Sequence, residues 1–302
     1  MGRTYLFNEE IGSWSDWGRV FQSVPAFEPL AAHILRREGL PDAPLGNLTP
    51  GTNAVFRAGD NVIKIFAPAE SGFDQSADMR TELFAARRAN RLGIASPRVI
   101  ADGCVEDKYR FYYIISEYID GRELSRALPE MSERDKLDAA RRLRSLTDRL
   151  NTPCEPFNDI DILTDPERSR RWDRYPPGFR AEREEYIRSL DTSERVFVHG
   201  DLCGDNILIG SDGELRLIDF ADSVLAPIWY EQALIAVELF DFDRTLLRGY
   251  FGEYDPERLA KLCLDGLLIH DFGGNIAAEH LGDPDGFHSL GALFGSIMKK
   301  IN

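Results

Sequence analysis

The stretch VFVHGDLCGDNILIGSDGELRLIDFADS, residues 196–223, holds the densest chemical pattern in the chain. Val196 to Val198 form a short apolar run that delivers His199, Gly200 and Asp201 to its end, and the polar turn LCGD separates them from Asn206. Two further apolar runs, NILI and ELRLI, flank Gly210, Ser211, Asp212 and Gly213, the pattern of a hairpin with a four-residue loop. Pairing Ile209 with Glu214 across that loop sets Asn206 opposite Leu217. Asp219 then falls one strand step farther, within the roughly 7 to 8 Å diagonal reach of adjacent strands. Asn206 and Asp219 thus meet behind Asp201. A carboxylate and an amide oxygen held together, with a second carboxylate in front, suit a hard divalent cation that keeps waters for a phosphate-bearing substrate. Magnesium with a nucleotide is the natural occupant; a hairpin whose polar side chains bond only local backbone is the plainer alternative.

The run His199-Gly200-Asp201, four residues, Asn206, followed by Leu217-Ile218-Asp219-Phe220, resembles the phosphotransferase motif of the aminoglycoside phosphotransferase and choline kinase family. The similarity covers roughly residues 45 to 300. It implies an α+β, bilobal protein-kinase-like fold with a small β-rich N-lobe and a larger, mainly helical C-lobe. It further implies Asp201 as catalytic base, Asn206 and Asp219 as Mg2+ ligands, ATP or GTP as co-substrate, and His199 as a support of its loop. Protein kinases have Arg where this chain has Gly200, a departure that points to small-molecule acceptors.

The rest of the chain supplies matching parts. LTPGTNAVFRAGDNVIKIF reads as two strands joined at AGDN, with a turn, Pro50 to Ala54, at its front. Strand alternation puts Lys64 on one face with Val62 and Phe66. From Ala77 to Leu92, Met79, Leu83 and Ala86 recur at helical intervals, and Glu82 lies on that apolar stripe, where an unpaired carboxylate is costly. The resembled family pairs a strand Lys with a Glu of the next helix to hold the α- and β-phosphates, so Lys64 and Glu82 are expected to pair. By the same resemblance Thr52 and Asn53 sit in the nucleotide-covering turn, which lacks the G-x-G-x-x-G of protein kinases. Ser116 to Ile119, Glu117 and Ile119 included, present backbone groups to the adenine. PRVIA and YRFYYIISEY complete the strands, and the pattern stops at Ile119-Asp120-Gly121, placing the boundary between a nucleotide-binding 1–119, with an N-terminal helical extension, and an acceptor-binding 120–302.

The second part reads as helical over Ser132 to Leu150, Phe179 to Leu190, Trp229 to Phe240, Pro256 to His270 and Phe287 to Lys299. After Asp219 the family often shows Gly-Asp-Pro and an acidic residue; here Tyr230-Glu231 resembles the variant of hygromycin-type enzymes, with Glu231 read as a bracket of the catalytic loop. Related enzymes recruit C-lobe carboxylates for ammonium groups, which makes Asp222, Glu238, Asp241, Asp243 and Asp271 candidates for the acceptor site.

The 302 residues are 43% hydrophobic and 29% charged, the balance of a folded globular protein of one or two domains rather than of a disordered chain. The net charge of -15 repels a phosphate backbone and excludes nucleic acid as a partner. Residues 1–119 carry -2 and residues 120–302 carry -13, which serves solubility and also attracts a cationic small molecule. No apolar run approaches the roughly 20 residues that cross a bilayer, and the N-terminus lacks a secretory pattern, so a cytoplasmic protein without membrane contact is expected. Cys104, Cys154, Cys203 and Cys263 stand apart with no CxxC pair, consistent with reduced thiols and no zinc site. The expectation is therefore phosphoryl transfer from a nucleotide to a hydroxyl of a small cationic acceptor, first an aminoglycoside, the antibiotic-resistance type. Choline or a homoserine-like amino alcohol is the alternative acceptor. A non-catalytic pseudokinase is disfavoured because Lys64, Glu82, Asp201, Asn206 and Asp219 occur together.

Overall fold

A computed structural model describes residues 4–49 and 51–302. The chain divides into two compact units, the first ending at Asp120 and the second Gly121–Asn302. The first unit contains α1 (Trp14–Val20), α2 (Val24–Arg37), β1 (Leu45–Asn47), β2 (Ala54–Ala58), β3 (Asn61–Ile65), α3 (Ser76–Arg91), β4 (Val99–Glu106) and β5 (Arg110–Glu117). Its five strands form an antiparallel sheet in the order β1-β2-β3-β5-β4.

Strand alternation gives this sheet two unlike faces. Ala54, Phe56, Ile63, Ile65, Phe111, Tyr113 and Ile115 turn to one side, where Phe7, Trp17, Phe27, Leu30 and Ile34 cover them. The N-terminal segment is thus half of the unit's core rather than an appendage. It is also tied to the β4–β5 turn, where the Asp107 carboxylate accepts from the amides of Leu6 (3.0 Å) and Phe7 (2.9 Å). On the other side Phe66 and Ile114 pack with Met79 and Leu83 of α3. Lys64, opposite Ile114 in the register, belongs to that second side. β1 lies in a segment whose sequence reads as a loop; it is three residues long, contains Gly46 and is mostly exposed, so no alternation marks it.

The second unit contains β6 (Gly121–Glu123), α4 (Leu124–Ala127), α5 (Glu133–Leu150), α6 (Pro166–Arg170), α7 (Pro177–Ser189), β7 (Val196–Val198), β8 (Ile207–Gly210), β9 (Leu215–Leu217), β10 (Val224–Ala226), α8 (Ile228–Leu234), α9 (Arg244–Phe251), α10 (Pro256–Ile269), α11 (Gly273–His280) and α12 (Leu290–Ile301). β6, β8 and β9 form one small sheet, and β7 pairs with β10 in another. Ser132 caps α5 by accepting from the Asp135 amide, and Asp255 and Ser289 do the same for α10 and α12. The helix expected from Trp229 to Phe240 changes its hydrogen-bond spacing midway: α8 ends at Leu234 and a π-helical turn, Ile235–Leu239, follows. α11 opens on two glycines and α9 is two turns long, which hides both from periodicity.

The hairpin register departs by one residue from the sequence reading. Ile207 pairs with Leu217 and Ile209 with Leu215, so Asn206 stands opposite Ile218, whose amide donates to the Asn206 carbonyl at 3.0 Å. The cause is Gly213, which takes a left-handed φ of +73° and donates its amide to Gly210 (2.9 Å), closing a three-residue loop in place of four. The shift brings Asp219 directly next to the Asn206 pairing position.

Candidate active site

Within the second unit, β7 is followed at once by His199, a fully buried side chain whose Nε2 lies 2.9 Å from the Ile218 carbonyl. Burial holds its imidazole neutral, with the pKa pushed down to about 4. Gly200 follows with φ +87°, and a Cβ there would lie 2.0 Å from the Asp222 carbonyl oxygen, so only glycine lets the two loops approach. The loop is gripped from below by Glu231. One of its oxygens accepts from the amides of His199 and Gly200 (3.2 Å for the latter), and the other from Asn151 Nδ2 at 2.8 Å. Burial pushes the Glu231 carboxyl up to about 7 against those hydrogen bonds. Glu231 therefore brackets the loop that presents Asp201.

Asn206 Nδ2 donates to both the Asp201 carbonyl and Asp201 Oδ2, each at 2.8 Å. Both partners are acceptors, so the amide orientation is determined and Asn206 Oδ1 is turned away from Asp201 as an acceptor. Asp201 Oδ1 is the carboxylate oxygen that Asn206 does not engage. Burial pushes the Asp201 carboxyl up to about 7, the charges of Glu238 and Asp219 add to it, the Asn206 hydrogen bond opposes it, and Asp205 raises it further. Asp219 itself adopts φ +57°, a conformation uncommon outside glycine that Asp tolerates better than most residues. Glu238, on the π-helical turn, is likewise raised to about 7 by burial and then by Glu279 and Asp205.

Sequence reasoning missed Asp205 and Glu279. Asp205 lies inside the motif but reads as a spacer, and Glu279 is on a helix that the pattern did not reveal. Of the other candidates, Asp222 contributes its backbone carbonyl to the packing against Gly200. Asp241 is exposed and pairs with Lys300 at 3.2 Å and His280 at 3.5 Å. Asp243 caps α9 through the amides of Thr245 and Leu246 and pairs with Lys136 at 2.7 Å. Asp271 pairs with Arg171 at 3.1 Å. Asp241, Asp243 and Asp271 thus have basic partners of their own, whereas no cation is among the groups that shift Glu238. Cys203, beside Asp201, has its thiol pushed up to about 12 by burial and is not a thiolate.

Within the first unit, Lys64 Nζ lies 2.7 Å from Glu82 Oε2, and Lys64 is only 8% exposed. Thr52 is held by Trp17, whose Nε1 donates to the Thr52 carbonyl at 2.8 Å. Asn53 is buried, and its Oδ1 has no hydrogen-bond partner among the described residues. Pro50, at the head of that turn, lies outside the described residues. At the end of β5 the amides of Glu117 and Tyr118 donate to the carbonyls of Arg98 (3.0 Å) and Asp60 (2.8 Å). The Glu117 carboxylate accepts from Arg98 at 2.8 Å.

The sequence model of the phosphotransferase enzyme family (APH) matches residues 51–262. The chain belongs to that family. No sequence among the curated proteins matches it. Solved structures of phosphotransferases share the fold at low identity. Aminoglycoside phosphotransferase APH(3'')-Id from Streptomyces rimosus is 20% identical over 81% of this chain and 98% of its own, with a TM-score of 0.56. Choline kinase LicA from Streptococcus pneumoniae is 14% identical over 90% of this chain and 99% of its own, with a TM-score of 0.56. Amicoumacin kinase hAmiN, solved with AMP-PNP, Ca2+ and Ami, is 16% identical over 89% and 92%, with a TM-score of 0.55. The phosphotransferase described here therefore has the α+β, protein-kinase-like fold expected from its motif. Among the described residues, no helix is long and apolar enough to cross a membrane.

Proposed function

We propose that this phosphotransferase moves the γ-phosphoryl of ATP, or GTP, to a hydroxyl of a small cationic molecule, with Mg2+ as cofactor and Asp201 as the residue that receives the hydroxyl proton. The observation that carries the reading is the double hydrogen bond from Asn206 Nδ2 to Asp201, because one amide then serves two ends. It fixes the Asp201 carboxylate and leaves its own Oδ1 as a hard oxygen donor beside Asp219. The donor chemistry fits magnesium, because an amide oxygen and a carboxylate are the hard oxygen donors that it takes. Two protein oxygens, from Asn206 and Asp219, leave the remaining positions for phosphate oxygens and water. Mg2+ held by Asn206 and Asp219 would supply charge neutralisation for the phosphates.

Asp201 then orients the acceptor hydroxyl through Oδ1. The hydroxyl oxygen forms a bond to the γ-phosphorus, the bond from that phosphorus to the β–γ bridging oxygen breaks, the nucleoside diphosphate leaves, and the proton passes to Asp201. Lys64, held by Glu82, binds the α- and β-phosphates, and Thr52 and Asn53 cover them. With the Glu117 and Tyr118 amides committed within the unit, the Ile119 amide is the donor for the adenine edge, and the Glu117 carbonyl the acceptor. In this reading residues 1–119 bind the nucleotide and 120–302 the acceptor.

The acceptor class follows from Glu238, a carboxyl that burial and then the charges of Glu279 and Asp205 raise, and whose own charge raises Asp201. An acceptor ammonium relieves that crowding. Aminoglycosides fit first, as aminoglycoside phosphotransferases are among the similar folds, and choline is the alternative on the same ground. An aminoglycoside acceptor would make this a resistance enzyme. The test is nucleotide consumption by the purified protein against a panel of aminoglycosides, choline and amino alcohols, with and without Mg2+, and with Asp219→Ala as control. Consumption that depends on a cationic acceptor, on Mg2+ and on Asp219 is expected. Preferential phosphorylation of neutral or acidic acceptors would reject the acceptor class, and metal-independent turnover would reject the Asn206–Asp219 assignment.

A further inference from the structure

We infer that Trp17, in the N-terminal helix α1, is a positioning residue for the nucleotide phosphates, acting through the carbonyl of Thr52. The inference rests on the reading of the Thr52–Asn53 turn as the nucleotide-covering turn. The indole Nε1 donates to the Thr52 carbonyl at 2.8 Å across 35 residues of sequence. The donor is held rigidly: Trp17 is fully buried, lies against Phe27 edge-on (centroids 5.8 Å apart) and stacks on Phe21 at 6.3 Å. Helix α1 is itself fixed at its start, where the Ser13 side chain accepts from the Asp16 amide and Trp14 packs edge-on against Phe73 at 5.3 Å.

The consequence is geometric. In a trans peptide the carbonyl oxygen and the amide hydrogen that follows it point in opposite directions, and no cis peptide occurs among the described residues. A Thr52 carbonyl held toward Trp17 therefore directs the Asn53 amide away from α1. The turn leads into β2, so its far end is also held, by the sheet pairing of Ala54 with Ile65 next to Lys64. The turn is thus set from both ends, with a backbone donor and the unpartnered, buried Asn53 Oδ1 in fixed places. A turn of Gly, Thr and Asn with no such tie would sample many conformations and bind phosphate only after losing them.

The test uses Trp17→Phe, which keeps an aromatic ring in the core and removes the N–H. Binding of MgATP is measured by calorimetry and turnover by a coupled assay, with Lys64→Ala as reference. The nucleotide Kd and KM should rise roughly three- to tenfold, the weight of one hydrogen bond, while the acceptor KM and the kcat at saturating nucleotide stay within about twofold. A lowered melting temperature with unchanged nucleotide Kd and KM would make Trp17 purely structural and overturn the inference. Where Trp17→Phe does not fold, amide hydrogen exchange of the unaltered protein decides: MgATP should slow exchange over Trp14–Val20 as well as residues 51–53, and protection confined to the turn overturns the coupling. If the unaltered protein binds neither MgATP nor MgGTP, the nucleotide reading itself fails. If it binds and Lys64→Ala weakens binding while Trp17→Phe does not, only the role of Trp17 falls.

Discussion

Replacing Gly200 by alanine should disable the enzyme through geometry rather than chemistry. The added Cβ would sit 2.0 Å from the Asp222 carbonyl oxygen and 2.7 Å from its carbon, distances that real Cβ atoms do not reach. The loops at 200 and 222 must therefore part by about 1 Å or more, and a φ of +87° adds roughly 1–2 kcal/mol of backbone strain for alanine. With overpacking at about 1–3 kcal/mol, the total is on the order of 2–5 kcal/mol of stability. The movement also carries Asp201, the next residue, away from Asp219, and a misplacement near 1 Å costs on the order of a hundredfold in turnover. Gly213→Ala is the control, because it has a similar φ of +73° but only a flexible Arg142 Nη1 at 3.4 Å. That variant should lose about 1 kcal/mol and retain activity. Steady-state kcat and urea unfolding of the two proteins side by side provide the comparison. Equal behaviour of Gly200→Ala and Gly213→Ala, with both active, would refute the argument that the 200–222 contact sets the position of Asp201.

Asp201→Asn should lower kcat by roughly two to four orders of magnitude while the Kd for MgATP stays near that of the unaltered enzyme; comparable loss of both would place Asp201 in nucleotide binding instead. The two buried neutral histidines, His199 at about 4 and His270 at about 3, sit below an ordinary imidazole, so their stabilisation is complete above about 6.5 and is lost as pH falls toward those values. Between neutrality and pH 5 each should account for about 2 kcal/mol of lost stability, and His270→Gln should remove one such share from the pH dependence of urea unfolding; an unchanged slope would show that His270 takes up no proton on unfolding. Glu238→Gln should reduce kcat/KM for a cationic acceptor roughly tenfold or more, and the acceptor KM of the unaltered enzyme should rise with salt more steeply than the nucleotide KM. Salt-insensitive acceptor KM values would detach the acidic charge from acceptor binding.

Features within one element or one short turn were legible in the chain itself. Strand alternation assigned Lys64 to the face of Val62 and Phe66, helical spacing put Glu82 on the buried stripe of α3, and the 2.7 Å pair between them agrees with both. The spacing of Asp201, Asn206 and Asp219 likewise brought three polar groups together, because a hairpin converts short sequence distance into spatial contact. Tertiary structure alone decided the rest. The one-residue register of β8 and β9 depended on a left-handed Gly213, a conformational choice that composition does not reveal. Which C-terminal acids act together depended on folding: Asp241 and Asp271 meet Lys300 and Arg171, whereas Glu238 comes under the charges of Glu279 and Asp205. The tie from Trp17 to Thr52 is of the same kind, since a hydrogen bond between residues far apart in sequence leaves no periodic trace. Local pattern follows from backbone geometry repeated every two or every 3.6 residues, whereas charge crowding and long-range ties exist only once the chain has closed on itself.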